Sequence, residues 1–383
     1  YGHSGMNTVT LKNGAKWYMN GDISMNLSGF EPATLNVTEG SVVEAKGKFS
    51  VSTHSSGQYG RANQFVYVDG PGSKLTCKAP KWDSVCAMLA TRGSFSEVGA
   101  RNGGEIVFDD GWGSEMGSYP GANSNVFFAV GAGSRASINA LYFNKAGTVG
   151  NRIVARDGGT VTTGTIYPDG TNATLIADNG TIEISGWNTG GAQHLFFFSG
   201  AKPLIQLGTA YGALSAVKKF TFELPLDGYP EEHVPFYSKG SFEFGKDAVL
   251  VIANLDEIRA DILAKGEAKR TYKLVKAAGS VSFSGEVRDN SNALSGEAAV
   301  FTKYARAEAA VRCGADLVLE LPLPWAVSSA EGFARGGVGV LNALGNVDAL
   351  AFGIDRGAVG ILREWIASVR MKEVKTLVVS GGD

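Results

Sequence analysis

Ala100-Arg101-Asn102-Gly103-Gly104-Glu105-Ile106 returns as Ala155-Arg156-Asp157-Gly158-Gly159-Thr160-Val161. A second motif, Tyr67-Val68-Asp69-Gly70-Pro71-Gly72-Ser73, comes back as Ala129-Val130-Gly131-Ala132-Gly133-Ser134 after a similar gap. Looser copies of the first turn stand at Val37-Thr38-Glu39-Gly40-Ser41-Val42 and Ala177-Asp178-Asn179-Gly180-Thr181-Ile182. Return of both motifs after a similar gap is what stacked copies of one unit produce.

Between the turns lie short alternating runs such as Thr34-Leu35-Asn36-Val37 and Thr174-Leu175-Ile176-Ala177. Period-2 alternation bounded by Gly, Asn and Asp is the signal of a half-buried strand. One such strand cannot bury its apolar face alone. Stacked units can, through a continuous ladder of Val, Ile, Leu and Phe. Asn-Gly and Asp-Gly supply corners with positive φ at little steric cost. The expected fold is mostly β: a parallel β-helix or related solenoid, with a small C-terminal α/β segment of partial Rossmann-like kind. A β-sandwich is the alternative, because strands of this length also suit it. Three regions follow: Gly-rich repeats over residues 1–220, a solenoid end or cap over 221–290, and the α/β segment over 296–370.

Composition agrees with that division. The chain has 383 residues, with 52 glycines against 11 prolines and no G-X-Y period, which excludes collagen. Hydrophobic residues make up 44%, enough for a sizeable core. A net charge of -2 with 19% charged residues gives no bulk field for nucleic acid or anionic membrane. Cys77, Cys86 and Cys313 match no metal-ligand spacing; Cys77 and Cys86 could pair if the first piece is exported, but they read rather as two reduced core residues. No run approaches the roughly 18 apolar residues of a membrane-spanning helix. Beginning at Tyr1 rather than Met, the sequence reads as cut from a longer protein.

Candidate catalytic groups in the repeats are the carboxylates Asp109, Asp110, Asp157, Asp169 and Asp178 and the cations Arg101, Arg152 and Arg156. A glycan-active β-helix enzyme would need carboxylates converging in one groove. Most of these instead stand beside Gly or Asn, where Asp caps a turn. His3, His54, His194 and His233 are scattered singly and read as surface or packing residues. Near Phe220 the pattern shifts. Asn254 to Ala264 predicts a short amphipathic helix with Asn254 as N-cap and Leu255, Ile258, Ile262 and Leu263 along one side. Strands at Tyr272 to Val275 and Val281 to Phe283 complete the expected cap.

After Ser295 the pattern becomes helix and strand in alternation, which implies a Rossmann-like layer. Tyr304 to Cys313 reads as a helix closed by Gly314. Asp316-Leu317-Val318-Leu319-Glu320-Leu321 and Ala349-Leu350-Ala351-Phe352 read as buried parallel strands. A helix from Ser328 or Ser329 to about Leu344 lies between them, and another runs from Ala358 to Val369.

Five motifs stand in order here: Gly296-Glu297-Ala298-Ala299, Lys303-Tyr304-Ala305-Arg306, Gly314-Ala315-Asp316 continuing to Pro322, Ser329-Ala330-Glu331-Gly332-Phe333-Ala334-Arg335-Gly336, and Phe352-Gly353. Over residues 296–366 they resemble the tRNA(Met) cytidine acetate ligase family, which is nucleotidyltransferase-like. The resemblance implies ATP and acetate as substrates, acetyl-adenylate as intermediate and the wobble cytidine of elongator tRNA(Met) as acceptor. It implies that Gly353 lies against ATP, since a Gly at the carboxyl end of a parallel strand lets a nucleotide approach the backbone. Lys303 and Arg306 match the family's basic pair, which implies contact with phosphate or RNA.

The pattern also departs from the family. Ile354-Asp355 stands where the family has Ser-Glu, and no histidine occurs after His233 to supply the His-x-Gly-His phosphate turn. The expectation is therefore no catalysis by this chain alone. The repeats of residues 66–283 more loosely resemble bacterial autotransporter-passenger solenoids, which implies a structural or adhesive role at the cell surface or outside it. The family resembled by the second piece is cytoplasmic, so the two pieces read as unrelated sequences joined near Ser295.

Overall fold

Each repeated turn ends one strand and begins another in a different sheet. Glu97–Arg101 leads through Asn102-Gly103-Gly104 into Glu105–Asp110, and Arg152–Arg156 leads through Asp157-Gly158-Gly159 into Thr160–Pro168. The corners carry the expected backbone. Asn102 and Gly103 have φ of 49° and 90°, and Asp157 and Gly158 of 52° and 83°. After each corner comes a glycine with no room for a side chain. A Cβ on Gly104 would overlap the Val68 carbonyl, and one on Gly159 the Ala129 carbonyl. In neighbouring turns the same place holds buried Ser41, Ser73 and Ser134. Ser134 Oγ accepts from the Gly103 amide at 2.9 Å, so the serine satisfies the backbone that the glycine merely lets pass.

The structure, a computed structural model, describes residues 7–289 apart from 26–31, 52–63, 80–84, 91–92, 111–112, 144–146, 189–192, 212–216, 231, 268 and 284–285, and also Leu319, Gly337, Gly339, Val340 and Ala343. It divides into two compact units, Tyr1–Ser291 and Asn292–Asp383. Among its described residues the first is mostly β, with parallel sheets and one α-helix, Leu255–Ala264. Every strand pairing among the described residues is parallel. This overturns the sandwich alternative, whose sheets are antiparallel.

An 11-stranded sheet takes its strands in chain order, from Asn7–Leu11 to Glu286–Asp289. Parallel neighbours need a crossover, for which a helix is the usual device. Here the crossover is itself β. Between Glu97–Arg101 and its neighbour Val126–Val130 the chain passes through Glu105–Asp110 and Ser114–Met116 of a second, 15-stranded sheet. Partners in adjacent strands are 26 residues apart at Asn125 and Asn151, and 22 apart at Arg156 and Asp178.

Parallel register keeps like residues above one another. Leu35, Val66, Val98, Phe127 and Ile153 are successive register partners on the inward side of the first sheet, each 3% exposed or less. Val43, Leu75, Ile106, Ala136 and Val161 do the same in the second. One core cluster runs from Ile23 to Ile258. Burying a Val, Leu or Phe at each step contributes about 1.5–3 kcal/mol against leaving it in water. Towards the C-terminal end the core turns aromatic. Phe198 stacks on Phe222 with centroids 4.6 Å apart and planes at 5°.

The region expected as a cap is built differently. Leu255–Ala264 is a helix as expected, but Asn254 makes no side-chain cap bond. Its amide is engaged elsewhere: Nδ2 donates to the Leu224 carbonyl at 2.8 Å and Oδ1 accepts from the Leu224 amide at 2.9 Å. Ile258 is buried and Leu255 and Ile262 pack on the core, while Leu263 is 75% exposed. At 100° per residue Leu263 has turned off the stripe that Ile258 and Ile262 share. Arg270 ties the helix down through Asp261 at 2.8 Å, Glu267 and the Leu226 carbonyl. The next strands are Val275–Ala277 and Val281–Ser282, and with Glu286–Asp289 they extend the parallel pairings beyond the helix. The helix is thus inserted within the series of strands.

In the second unit, Gly337, Gly339, Val340 and Ala343 are helical, within the helix expected up to Leu344. Leu319 is 43% exposed and outside any strand, against the buried strand expected at Asp316–Leu321. The rest of that strand, the helices at Tyr304–Cys313 and Ala358–Val369 and the strand at Ala349–Phe352 lie outside the described residues.

Candidate functional site

The parallel register sorts the candidate carboxylates onto separate places. Asp109 projects from the second sheet, and Asp169 follows the strand Thr160–Pro168 of that same sheet. Asp157 and Asp178 belong to corners after first-sheet strands. Asp178 is engaged there, accepting from Arg156 Nε at 2.7 Å and from Ser199 Oγ at 2.8 Å. That pair is half-exposed and contributes at most about 1 kcal/mol. Arg152 is exposed on the first sheet. The described carboxylates do not converge in a groove, as a glycan-active site would require. The side chain of Asp110 lies outside the described residues.

Arg101 sits on the outer side of the first sheet among aromatic rings. Its guanidinium lies 3.7 Å from the Tyr67 ring centroid and 5.2 Å from that of Phe128. Tyr67 Oη donates to Glu97 Oε2 at 2.7 Å, and Glu97 also approaches Arg101 at 3.6 Å. Burial, then the Glu97 carboxylate, pushes the Tyr67 phenol up to about 12. Phe128 can lie over this strand only because Gly99 has no side chain; a Cβ there would meet its ring. The cluster joins Tyr67, Glu97, Arg101 and Phe128 across three adjacent strands, and it closes on itself. Arg101 is thereby accounted for as a packing cation.

Sequence reading missed the polar ladder inside one corner. Asn125 is 1% exposed and Asn151 0%. The Ser96 amide donates to Asn125 Oδ1, and the Asn125 amide to Asn151 Oδ1, each at 2.9 Å. Asn151 Nδ2 closes the set on the Ala122 carbonyl at 3.0 Å. The available signal was an Asn directly before the alternating run at both Val126 and Arg152.

Among the histidines, His194 is fully buried and edge-on to Trp187, with centroids 6.0 Å apart. His233 Nε2 is 2.8 Å from the Pro203 carbonyl. Both are packing residues, while His3 and His54 lie outside the described residues. Cys77 and Cys86 are buried and not joined in a disulfide, as expected; Cys86 Sγ donates to the Asp109 carbonyl at 3.1 Å, and burial pushes the Cys77 thiol well up. Cys313 lies outside the described residues. Among the described residues no group of three His, Cys, Asp or Glu could hold a metal ion, and no helix is long and apolar enough to cross a membrane.

Gly353, Lys303 and Arg306 all lie outside the described residues. What bears on them is comparison with known proteins. Residues 293–378 match the family model described as HIGH Nucleotidyl Transferase. That match begins within two residues of the boundary between the compact units at Ser291 and Asn292.

Within that family the curated relatives are called tRNA(Met) cytidine acetate ligase. The one from Syntrophotalea carbinolica is 54% identical over 68 residues, 18% of this chain and 16% of its own length. That from Alkaliphilus metalliredigens is 45% identical over 85 residues, 22% of this chain and 20% of its own. That from Thermotoga petrophila is 50% identical over 68 residues, 18% and 16% respectively. The chain therefore spans a fifth or less of these relatives. No solved structure matches it.

Proposed function

We propose that the first unit is a structural or adhesive β-solenoid, a parallel β-helix without catalytic groups, joined to a partial nucleotidyltransferase-like segment that has no acetate-ligase activity by itself. The observation that carries this is the coincidence of two boundaries found independently. The compact unit ends at Ser291, and the nucleotidyltransferase match begins at residue 293. The β repeats therefore owe nothing to the enzyme family, and the enzyme segment owes nothing to the repeats.

The solenoid reading rests on parallel pairing throughout, β crossovers in place of helices, and inward ladders of register partners. A loose resemblance to bacterial passenger repeats supports a role for this unit at the cell surface or outside it. A scaffold also explains why its outer charges pair across strands rather than converge.

For the second unit the relatives' name supports an origin in a ligase acting on tRNA(Met), with ATP and acetate as the substrates of that chemistry. In this reading Gly353 offers a backbone edge to ATP, and Lys303 and Arg306 face phosphate or RNA. These residues by themselves lack a histidine to form the phosphate turn, which speaks against activity of this chain alone. A nucleotidyltransferase stabilises charge on the transferring phosphates with preorganised donors, and losing one such donor costs on the order of a hundredfold or more. The test is to incubate the purified chain with ATP, acetate and elongator tRNA(Met) and look for acetylated cytidine by mass spectrometry. We expect none above a no-protein control, and product would overturn the reading.

A further inference from the structure

We propose that Tyr142 and Tyr167 are a modification site, where oxidative coupling joins them into a dityrosine that braces two consecutive turns of the β unit. The inference needs only the parallel register, and not the structural or adhesive role proposed above.

The register makes the pair. Leu141–Phe143 runs parallel to Thr160–Pro168, with Tyr142 directly opposite Tyr167. Leu141, Phe143 and Ile166 are fully buried, so the alternation turns both tyrosines to the outer side of the sheet. Both are half-buried there. Parallel strands stand about 4.8 Å apart. The two rings keep that spacing face to face, with centroids 4.9 Å apart and planes at 16°. Gly113, one turn earlier, lets the Tyr142 ring lie close against the backbone, since a Cβ there would come within 3.2 Å of the ring.

That arrangement suits one reaction. Tyrosyl radicals couple through the ring carbons beside the hydroxyl, and the bond first forms between ring faces. The oxidant class is a peroxide acting through a one-electron peroxidase. Each phenol gives up one electron and one proton, and the peroxide takes up both pairs and leaves as two waters. The two radicals then form one carbon–carbon bond. Each bonded carbon passes its hydrogen, through solvent, to its own phenolic oxygen, which restores both rings. The partly exposed outer position leaves the rings room to swing edge to edge once bonded. A link between turns removes freedom from the unfolded chain, as a disulfide does.

Tyr229 and Tyr272 supply the contrast. Their centroids are 6.0 Å apart, but the rings stand at 89°. Tyr272 Oη also donates to the Pro225 carbonyl at 2.8 Å, which holds that ring in its edge-on place. Proximity without stacking should not couple.

The experiment treats the dilute full chain with hydrogen peroxide and a haem peroxidase, and isolates the monomer. N-acetyltyrosine coupled in a parallel tube confirms the oxidant. The monomer is expected to gain dityrosine fluorescence, and tandem mass spectrometry to find the Tyr142 and Tyr167 peptides joined. Its thermal midpoint should rise above that of the untreated chain. Tyr142→Phe and Tyr167→Phe, each checked for folding by far-UV circular dichroism, should lose the joined peptides, whereas Tyr229→Phe should keep them. A treated monomer without that peptide pair overturns the proposal. So does a pair joined through Tyr229 and Tyr272, or dityrosine formed only between molecules. A linked monomer that melts no higher than the untreated chain overturns the bracing.

Discussion

The early and late turns of the β unit solve the same corner by different means. Before Thr160 the second sheet uses two short strands per turn, such as Glu105–Asp110 with Ser114–Met116 and Arg135–Ile138 with Leu141–Phe143. Polar side chains fill the break between them: Ser114 Oγ donates to Asn139 Oδ1 at 2.8 Å and accepts from the Ala87 amide at 3.2 Å. From Thr160 the two strands fuse into one, Thr160–Pro168, which pairs with both Arg135–Ile138 and Leu141–Phe143. Gly164 stands where the break was, and a Cβ there would overlap the Ala140 amide.

The core changes along with the corners. Among the early turns it is mainly aliphatic, whereas beyond Trp187 it is dominated by phenylalanine. A corner can therefore be held by hydrogen bonds from side chains or dispensed with by a glycine, as in Thr160–Pro168, and it reappears between Phe236–Ser238 and Phe242–Glu243.

The largest test of this contrast is Phe198→Ala in the late turns. Phe198 is fully buried and stacked on Phe222, so truncation leaves a cavity costing about 3–5 kcal/mol. Urea denaturation measures it. A loss below about 1 kcal/mol would mean that the aromatic stack is not what holds the late turns.

Next is Asn151→Ala in the early turns. It strands the buried Asn125 amide and the Ala122 carbonyl, and should cost about 2–3 kcal/mol. A change within the error of the same denaturation experiment would remove the polar ladder from the account.

The smallest effect is a pH slope. Burial holds the His233 imidazole below its ordinary value of 6.5, Lys202 adds to this, and the Pro203 carbonyl opposes it. The folded state thus favours the neutral ring, and the unfolded chain takes up the proton first. The stability this confers is complete above about pH 6.5 and is lost as pH falls through the folded value. His233→Gln should flatten that part of the stability profile, measured as urea midpoint against pH. An unchanged slope would assign the pH dependence to other groups.

Much of this was legible in the residues. Asn102-Gly103-Gly104 and Asp157-Gly158-Gly159 announced their corners because few other residues accept positive φ, and alternation announced the strands. The strand expected at Tyr272 to Val275 falls instead at Val275–Ala277, because one half-buried residue either side of Lys276 is too short an alternation to fix its bounds. Asn254 takes the N-cap position as read, but its side chain does not cap, because it is bonded to Leu224, 30 residues away in sequence. Of the proposed nucleotide site, Gly353, Lys303 and Arg306 rest on the residues of the second unit alone.

What the sequence determined by itself is local: where the chain turns, which face of each strand is apolar, and where one kind of sequence gives way to another near Ser295. Those features depend on backbone sterics and on neighbours within a few residues. Only the tertiary structure decided that the strands run parallel, and that Asn125 meets Asn151 inside the corner. It alone revealed that Leu35, Val66, Val98, Phe127 and Ile153 stand in one inward stack. These are pairings between residues tens of positions apart, set by register across the sheets, and a period of two along each strand does not encode them.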